Sequence, residues 1–249
     1  MHADSLTLDG LDAGALAARL RLPAVELRAR VASTMDVAHD LAAAGSAAGT
    51  IVLAQTQDGG RGRAGKRWTS PSGGLWFTLI ERPRTTRGLE VLSLRVGLAL
   101  ATALDALAGE RVGLKWPNDL HLRAGKLAGI LVEARWRDLN VEWVAIGVGL
   151  NIVAPSGVYR AAGLRAGATR LSALEAIIPV LRAATACEGP LTGDELARFE
   201  GRDVARGRRV IEPLAGVVLG VRADGELMIE TATGPMACRA GSMVFAEER

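Results

Sequence analysis

Cysteine and histidine are scarce in this sequence. Its 249 residues include two cysteines, Cys187 and Cys238, and three histidines. The cysteines lie far apart and lack the spacing of a zinc site or of a disulfide framework, which favours a reducing, cytoplasmic environment. Two of the histidines, His39 and His121, have no serine or cysteine beside them in a nucleophile arrangement, so we assign neither of them a catalytic role.

Long apolar runs are missing as well. Residues 1–10 include Asp4 and Asp9 and show no basic segment followed by an apolar run, so we expect no secretory signal. The apolar stretches further along are too short, or too often interrupted by Arg, Asp and Gly, to span a bilayer. Internal repeats and low-complexity segments are also absent. The sequence therefore predicts a cytoplasmic protein without a membrane partner.

The composition is that of a globular protein with a sizeable core. Hydrophobic residues make up 49% of the sequence and charged residues 23%, which suits one large domain or a large domain with a small one. The formal net charge is only +3, and the Arg and Lys residues cluster in certain loops. This distribution favours an anionic ligand over a generally basic surface that coats nucleic acid.

Hydrophobic periodicity predicts how the first part of the chain is organised. Ser33-Thr34 precedes apolar residues at helical spacing, as the N-cap region of a short helix that stops at Gly45. Two buried strands and a later long helix are predicted around a loop rich in Gly and Arg: strands at 50–55 and 74–80, the loop at 58–67 and the helix at 89–107.

The second part of the chain mixes strands, helices and a β-rich tail. Three neighbouring strands are predicted at 112–116, 127–134 and 141–152, with turns at 117–119 and 125–126. Helical spacing returns at 171–186, where Pro179 interrupts the pattern, and at 194–205. From Arg208 onward, short β-rich runs alternate with turns. This tail predicts a small β-barrel of roughly forty residues that leans on the main domain.

The strongest functional signal is a glycine loop with four cations within seven positions. It reads Gly59-Gly-Arg-Gly-Arg-Ala-Gly-Lys-Arg-Trp68. Glycines let a ligand approach backbone N–H groups closely, and the cations neutralise converging negative charge. The loop is neither a Walker loop nor a dinucleotide fingerprint, because it lacks the Gly-Lys-Ser/Thr ending and opens no helix. Taken alone, it is equally compatible with a mobile solvated loop or an Arg-Gly segment that binds nucleic acid.

Three further motifs follow this loop. They are Lys115-Trp-Pro-Asn-Asp119, Gly125-Lys-Leu-Ala-Gly-Ile-Leu-Val-Glu133 and Gly147-Val-Gly-Leu-Asn-Ile152. All four motifs, in this order and at this spacing, resemble the catalytic domain of biotin–protein ligases over residues 33–152, and the β-rich tail resembles the small C-terminal domain of that family. Any one motif is weakly specific, whereas the four together are highly specific.

The resemblance implies an enzyme that activates biotin with ATP as biotinyl-adenylate and transfers the biotinyl group to a lysine of a biotin carboxyl carrier protein or domain. Attack of a carboxylate on the α-phosphate brings two anions together, so the site must supply cations and backbone donors. By the resemblance, Arg63 and Lys126 hold the carboxylate and the α-phosphate, Lys115 binds phosphates, and Asp119 lies near Mg²⁺ or the leaving group. Taken alone, Lys126 is better interpreted as a solvated turn lysine and Asp119 as a turn-forming aspartate.

The resemblance also implies the ligand contacts. Biotin requires a pocket that is polar around its ureido ring and apolar along its tail. The biotin contacts would be Ser33, Thr34, Gln57, Gly60, Arg61 and Gly129, and the contacts of ATP or the adenylate would be Arg63, Gly65, Lys66, Trp68, Lys115 and Asn151. Trp68 and Asn151 are expected near the adenine, whereas Trp76 and Trp116 are expected to pack. Residues 61–67 are the candidate lid that protects the adenylate from water.

The chain departs from some relatives in two respects. Only 32 residues precede Ser33, so a winged-helix DNA-binding domain does not fit, and we predict a ligase without repressor function or nucleic-acid partner. In addition, Lys66 and Ala64 stand where relatives often carry arginine.

Two alternative functions are considered. The nearest enzymatic alternative is a lipoate or octanoate ligase or transferase, but the Gly-Arg-Gly-Arg loop and the Lys-Trp-Pro-Asn-Asp motif favour biotin. The alternative from another class is a nucleic-acid-binding module, which predicts that the protein binds RNA or DNA tightly and that this binding weakens steeply with salt.

The implied fold is α+β with two domains. Residues 1–206 would form a mixed sheet with helices that resembles class II aminoacyl-tRNA synthetases, and residues 207–249 would form a small SH3-like β-barrel. Dimerisation through a sheet edge is common in the family, so a homodimer is one oligomeric state to test.

Overall fold

A seven-stranded mixed sheet forms the centre of the larger part of the molecule, in a computed structural model that describes residues 6–123 and 125–248. Its strands are β1 (Val25–Val31), β2 (Ile51–Gln57), β3 (Leu75–Glu81), β4 (Gly113–Lys115), β5 (Asp119–Leu122), β6 (Gly125–Arg137) and β7 (Asn140–Leu150). The spatial order is β1-β2-β3-β7-β6-β5-β4. β1 and β2 run parallel, and the other neighbouring pairs are antiparallel. The predicted α+β class with a mixed sheet is confirmed.

The helices connect the strands and cover the sheet. They are α1 (Ala13–Leu20), α2 (Thr34–Ala43), α3 (Leu92–Ala108), α4 (Arg170–Thr185) and α5 (Gly193–Glu200). A parallel pair such as β1 and β2 needs a crossover connection, and α2 supplies it. The side chain of Ser33 accepts a hydrogen bond from the Met35 N–H at 3.3 Å, which confirms Ser33 as the N-cap of α2.

α3 is the apolar helix of the core. It follows a 3₁₀ turn at Leu89–Val91 and ends at Gly109, whose φ is +74°. By length and composition alone, Leu89–Ala108 is long and apolar enough to cross a bilayer, a test that buried core helices also pass. However, 56% of the most apolar 18-residue stretch of this helix is buried inside the protein, and the helix packs against β6 and α4. Packing in the core therefore accounts for its apolar character.

Four strands, rather than the predicted three, lie between residues 112 and 152. The additional strand is β5, which pairs Asp119 with Lys115 on one side and with Gly129 on the other. Asp119 therefore begins a strand instead of closing a turn. Lys126 also lies in a strand, as the second residue of β6, and not in the predicted turn.

The helices near the C-terminus differ from the prediction at their ends. α4 continues through Pro179, because the buried residues on either side of the proline keep the helix packed in the core. α5 ends at Glu200 instead of residue 205. The reason is a parallel bridge between Leu114 and Asp203, in which the Leu114 N–H donates to the Arg202 carbonyl at 2.8 Å and the Val204 N–H donates to the Leu114 carbonyl at 2.9 Å. The chain leaves the helix to pair beside β4.

A second sheet is formed by the C-terminal strands. They are β8 (Arg209–Glu212), β9 (Gly216–Val221), β10 (Leu227–Thr231), β11 (Gly234–Cys238) and β12 (Val244–Phe245), in the order β11-β10-β9-β8-β12. All neighbouring pairs are antiparallel. Buried residues of this sheet, such as Val218 and Ile229, belong to the same hydrophobic cluster as the first sheet. The β-rich tail is as predicted, whereas its SH3-like shape and the domain boundary at 206/207 stay predictions.

Candidate functional site

A cleft of about 250 Å³ lies where α2, the glycine loop and the strands β3 to β7 converge. Most of the residues that the sequence singled out line it: Ser33, Thr34, Gln57, Arg61, Arg63, Lys66, Trp68, Lys115, Asp119, Lys126 and Gly129. Because these residues come from separate strands, a helix cap and a loop, only the folded sheet brings them together.

One end of the cleft is a polar network around Gln57. Its Oε1 accepts hydrogen bonds from the Thr34 N–H at 2.8 Å and from the Thr34 hydroxyl at 3.1 Å, and its Nε2 donates to Ser70 Oγ at 2.8 Å. The hydroxyls of Thr34 and Thr78 lie 2.9 Å apart. Ser33 and Thr34 are 3% and 4% exposed. This end is therefore a fixed and nearly dry set of donors and acceptors, suited to a small polar ring.

The glycine loop is folded back on itself beside this network. Arg61 and Arg67 form a backbone bridge, the Gly62 N–H donates to the Lys66 carbonyl at 2.7 Å, and a 3₁₀ turn spans Arg63–Gly65. At the base of the loop, a Cβ on Gly60 would lie 2.4 Å from the Trp68 carbonyl oxygen, so only glycine fits. The loop is a short hairpin whose residues Arg61 and 64–67 are exposed to solvent.

Cations gather at the other end of the cleft. The Lys126 ammonium lies 2.7 Å from the Asp119 carboxylate, in a pair that is only partly exposed to solvent. Burial lowers the pKa of the Arg63 guanidinium from its ordinary value, and the negative charge of Asp119 opposes this shift. Lys115 lies 4.6 Å above the ring of Phe245. Three cations around one carboxylate make this end attractive to an anion.

Trp68 lines the cleft beside Lys126. The Lys126 ammonium lies 4.9 Å above its ring, and the ring packs on Gly129 and Gly149. A Cβ on Gly149 would lie 2.5 Å from Trp68 Nε1, so glycine at this position makes room for the indole. Trp68 Nε1 is buried and has no hydrogen-bond partner among the described residues. Such a donor can be satisfied by a ligand.

Trp76 was expected to pack in the interior, and it is buried in the core with 1% of its surface exposed.

Three predicted residues do not line the cleft directly. Gly60 and Gly65 shape the loop, and Gly65 does so with a φ of +72°. Asn151 is 4% exposed and lies behind the cleft, where its Nδ2 donates to the Lys126 carbonyl at 3.2 Å. Asn151 thus supports the backbone at Lys126, and its contact with adenine stays a prediction.

Sequence reasoning missed two parts of the site. Thr78 on β3 belongs to the polar network, yet in the sequence it is one threonine in an apolar run. The segment 241–243, which leads into β12 of the C-terminal sheet, also lines the cleft, and Lys66 Nζ donates to Ser242 Oγ at 2.9 Å. No local signal could have found this contact, because 176 positions separate the two residues.

Chemically, the cleft combines a cationic site for an anionic ligand with a neutral polar pocket. The cationic end can hold phosphates or a carboxylate, and the polar end can orient a small ring by hydrogen bonds. Trp68 offers an aromatic face in the same cleft. The cleft is therefore suited to a reaction in which a carboxylate and a nucleotide meet.

Comparison with known proteins gives matches over the same region. Residues 27–151 match the sequence model of the Biotin/lipoate A/B protein ligase family. The chain is 37% identical over 124 residues to the "Bifunctional ligase/repressor BirA" of Bacillus spizizenii, covering 49% of this chain and 38% of that protein. It is 40% identical over 144 residues to the "Biotin--[acetyl-CoA-carboxylase] ligase" of Paracoccus denitrificans, covering 57% and 58%. The matches thus span less than two thirds of the length of these relatives.

A solved structure shows the same fold. The biotin protein ligase from Aquifex aeolicus, in complex with biotin and ATP, superposes with a TM-score of 0.70 at 23% sequence identity. The superposition covers 88% of this chain and 97% of the other chain. Since this coverage exceeds the share of the chain in residues 27–151, the fold is shared beyond the region that the sequence model matches.

Proposed function

Because this chain belongs to the biotin/lipoate A/B protein ligase family, we propose that it joins biotin to ATP as biotinyl-5'-AMP and transfers the biotinyl group to a lysine of a biotin carboxyl carrier domain. One observation carries the proposal: Arg63, Lys115 and Lys126, from a loop and two strands, line one cleft with the polar network around Gln57. The names of the matched relatives favour biotin over lipoate within the family.

The first step is the attack of a biotin carboxylate oxygen on the α-phosphorus of ATP. A new P–O bond forms, the bond to the β-phosphate breaks, and pyrophosphate leaves with the electron pair. Lys126 and Arg63 stabilise the negative charge that accumulates on the α-phosphate, and Lys115 holds the leaving phosphates. For this, the Lys126 ammonium exchanges part of its contact with Asp119 for the substrate oxygens.

Mg²⁺ is expected to arrive with ATP. The described residues contain no group of three His, Cys, Asp or Glu side chains that could hold a metal ion by themselves. Within the described part of the chain, Asp119 is the one carboxylate that lines the cleft, which fits a magnesium ion that would be held mainly by phosphates and water. When bound, the ion neutralises phosphate charge, and Asp119 is the protein group that would hold it.

The polar network would receive the ureido ring of biotin. Thr34 and Gln57 each carry hydrogen-bonding capacity beyond the contacts that they make with one another, and the main chain of Arg61 borders the same space. The valeryl tail would pass Gly129 towards Lys126, where the carboxylate is needed. This direction places the vitamin's two polar ends at the two polar ends of the cleft.

The glycine loop would retain the intermediate until the carrier arrives. Biotinyl-5'-AMP is a mixed anhydride that water hydrolyses, so a loop that covers it lengthens its lifetime. In the second step, the carrier's lysine attacks the acyl carbon as a neutral amine, the bond to AMP breaks, and the amine gives up a proton. Arg63 and Lys126 would stabilise the departing AMP.

The proposal is tested by biotin-dependent exchange of labelled pyrophosphate into ATP, followed by transfer of labelled biotin to a purified carrier domain. We expect exchange with biotin, none without an acyl substrate, and labelling of a single carrier lysine. Octanoate and lipoate serve as parallel substrates. Exchange supported by octanoate or lipoate but not by biotin would show that the substrate assignment is wrong, and no exchange with any of the three would overturn the activity itself.

A further inference from the structure

The side chain of Arg61 does not point its charge at the anion end of the cleft but lies between two carboxylates. Its Nη2 is 2.8 Å from Asp36 Oδ1 and 3.5 Å from Glu133 Oε2. Asp36 is in the first turn of α2, and Glu133 lies near the middle of β6. One guanidinium of the glycine loop therefore bridges a helix and a strand that both contribute residues to the cleft.

Glu133 is itself held by His39. The same oxygen, Glu133 Oε2, lies 2.9 Å from His39 Nε2. On the opposite side of the imidazole, the Trp143 indole N–H donates to His39 Nδ1 at 2.9 Å. Because Nδ1 accepts that bond, the proton of the neutral ring is on Nε2, and His39 donates to Glu133.

This chain of contacts ends in the buried core. Trp143 is 7% exposed, and the Arg82 guanidinium lies 5.8 Å above its ring. Arg82 also donates to the Ala42 carbonyl at 2.7 Å, which ties the far end of α2 to the same group. The position of Glu133 is thus fixed by packed residues rather than by solvent.

We propose that Asp36, Glu133 and His39 are positioning residues that anchor Arg61, and with it the glycine loop, so that the loop stays in place over the acyl-adenylate. Resting on the proposed function, this adds to it the groups that control how long the intermediate is retained. The three elements that the anchor joins carry the polar network on α2, Lys126 on β6 and Arg63 on the loop. A shift of Arg61 would displace Arg63, two residues further along, from the anion end of the cleft.

The anchor can be tested with Asp36→Asn and Glu133→Gln, which remove charge and keep size. The matched controls are Asp40→Asn, exposed on the same helix, and Glu142→Gln, on β7, where Glu142 pairs with Arg137 of β6. The first measurement is limited trypsin digestion, because Arg61, Arg63, Lys66 and Arg67 are all potential cleavage sites. We expect the loop to be cut about two- to fivefold faster in the two anchor variants than in the controls, the effect of losing partly exposed ion pairs.

The second measurement is the rate at which preformed biotinyl-5'-AMP dissociates. We expect it to rise about two- to fivefold in Asp36→Asn and Glu133→Gln, with kcat for pyrophosphate exchange changing less than KM for biotin. In an Arg61→Ala background, the same two substitutions are expected to have no further effect, because they act through Arg61. His39→Gln keeps a donor for Glu133 and an acceptor for Trp143, so it should behave like the wild type, whereas His39→Leu should behave like Glu133→Gln.

The two readouts separate this inference from the proposed function. If the wild type formed no adenylate but the anchor variants were cut faster, the activity would be wrong and the anchor correct. If adenylate formed but trypsin cleavage and adenylate release in the anchor variants matched the controls, the anchor would be overturned. Equal effects of the anchor substitutions with and without Arg61 would also overturn it.

Discussion

At the scale of single residues, Lys126 is where the proposed chemistry is concentrated. It pairs with Asp119, lies over the ring of Trp68, and has its carbonyl held by Asn151. These contacts fix both its backbone and its ammonium, as expected of a group that must meet a transition state with little reorganisation.

Replacing Lys126 with Ala is predicted to lower the rate of biotin-dependent pyrophosphate exchange by about a hundredfold or more, the usual effect of removing one group that stabilises developing charge. Arg123→Ala is the control, since Arg123 is an exposed cation in the preceding turn that pairs with Glu110. Thermal unfolding should show that both variants fold. An exchange rate of Lys126→Ala within a few fold of the control would remove Lys126 from its proposed role.

Four motifs in the sequence were enough to predict most of the cleft, and the limits of that prediction are physical. Arg63, Asp119 and Lys126 each stand next to a glycine or an asparagine, and Lys115 lies two residues before Pro117. Such residues mark the ends of elements, where functional groups collect. Thr78 lies in the middle of an apolar strand, where a threonine is normally a packing residue. Its role depends on the hydroxyl of Thr34, 44 positions away, and no local pattern encodes such a pair.

At the scale of elements, the contact between α3 and α5 depends on one buried ion pair. Arg95 donates to Glu195 at 2.6 Å and also to the carbonyls of Gly189 and Pro190. The side chains of Arg95 and Glu195 are 3% and 12% exposed. Removing one partner would leave the other charge buried and unpaired, which is usually more costly than the pair was favourable.

Glu195→Gln is predicted to reduce the free energy of unfolding by about 3 kcal/mol near neutral pH. The hydrogen bond from Arg95 lowers the pKa of the Glu195 carboxyl below its ordinary value of 4.5. Its contribution is therefore complete above pH 4.5 and is lost as the pH falls through the folded-state pKa, where the wild type and the variant converge. Urea unfolding of the wild type and of Glu195→Gln between pH 7 and pH 3 measures the difference between their free energies of unfolding. A difference that stays constant over that range would contradict the stabilising role of the ionised Glu195 carboxylate.

A matched control for that ion pair lies on the same helix. Arg198 and Asp194 form an exposed pair at 3.0 Å, one helical turn apart. Arg198→Met should change the free energy of unfolding by about 0.5 kcal/mol or less, because exposed pairs are screened and cost side-chain entropy. A loss as large as that of Glu195→Gln would mean that burial is not what makes the Arg95 pair important.

Elements with strong periodicity were predicted, and those defined by distant pairing were not. β2, β3 and α3 carry long apolar patterns and were found within a few residues of their true ends. β1 was missed because three of its seven residues are exposed and its apolar pattern is weak. β5 has only four residues and exists because β4 and β6 flank it. α5 was predicted too long because Val204 pairs with Leu114, 90 positions earlier in the chain.

At the scale of the whole molecule, the C-terminal sheet packs against the first sheet and contacts residues of the cleft. It shares the hydrophobic cluster of the first sheet, and Trp116 next to the cleft donates to the Gly225 carbonyl at 3.0 Å. The ring of Phe245 in β12 lies between Lys115 and Arg208, at 4.6 Å and 3.5 Å. The position of Lys115 at the cationic end of the cleft therefore depends on the packing of the two sheets against each other.

The bond between Lys66 and Ser242 makes this dependence testable. It connects the glycine loop to the segment 241–243, on the side of the cleft where the cations gather. Ser242→Ala is predicted to raise KM for ATP about two- to fivefold, the effect of one exposed charge-assisted bond. The affinity for biotin should hardly change, because the polar network lies on α2, β2 and β3 at the other end of the cleft. Thr233→Ala, in the distant hairpin between β10 and β11, is the control. An equal rise in KM for ATP and in KM for biotin would show that the C-terminal sheet stabilises the site in general and does not contribute specifically to nucleotide binding.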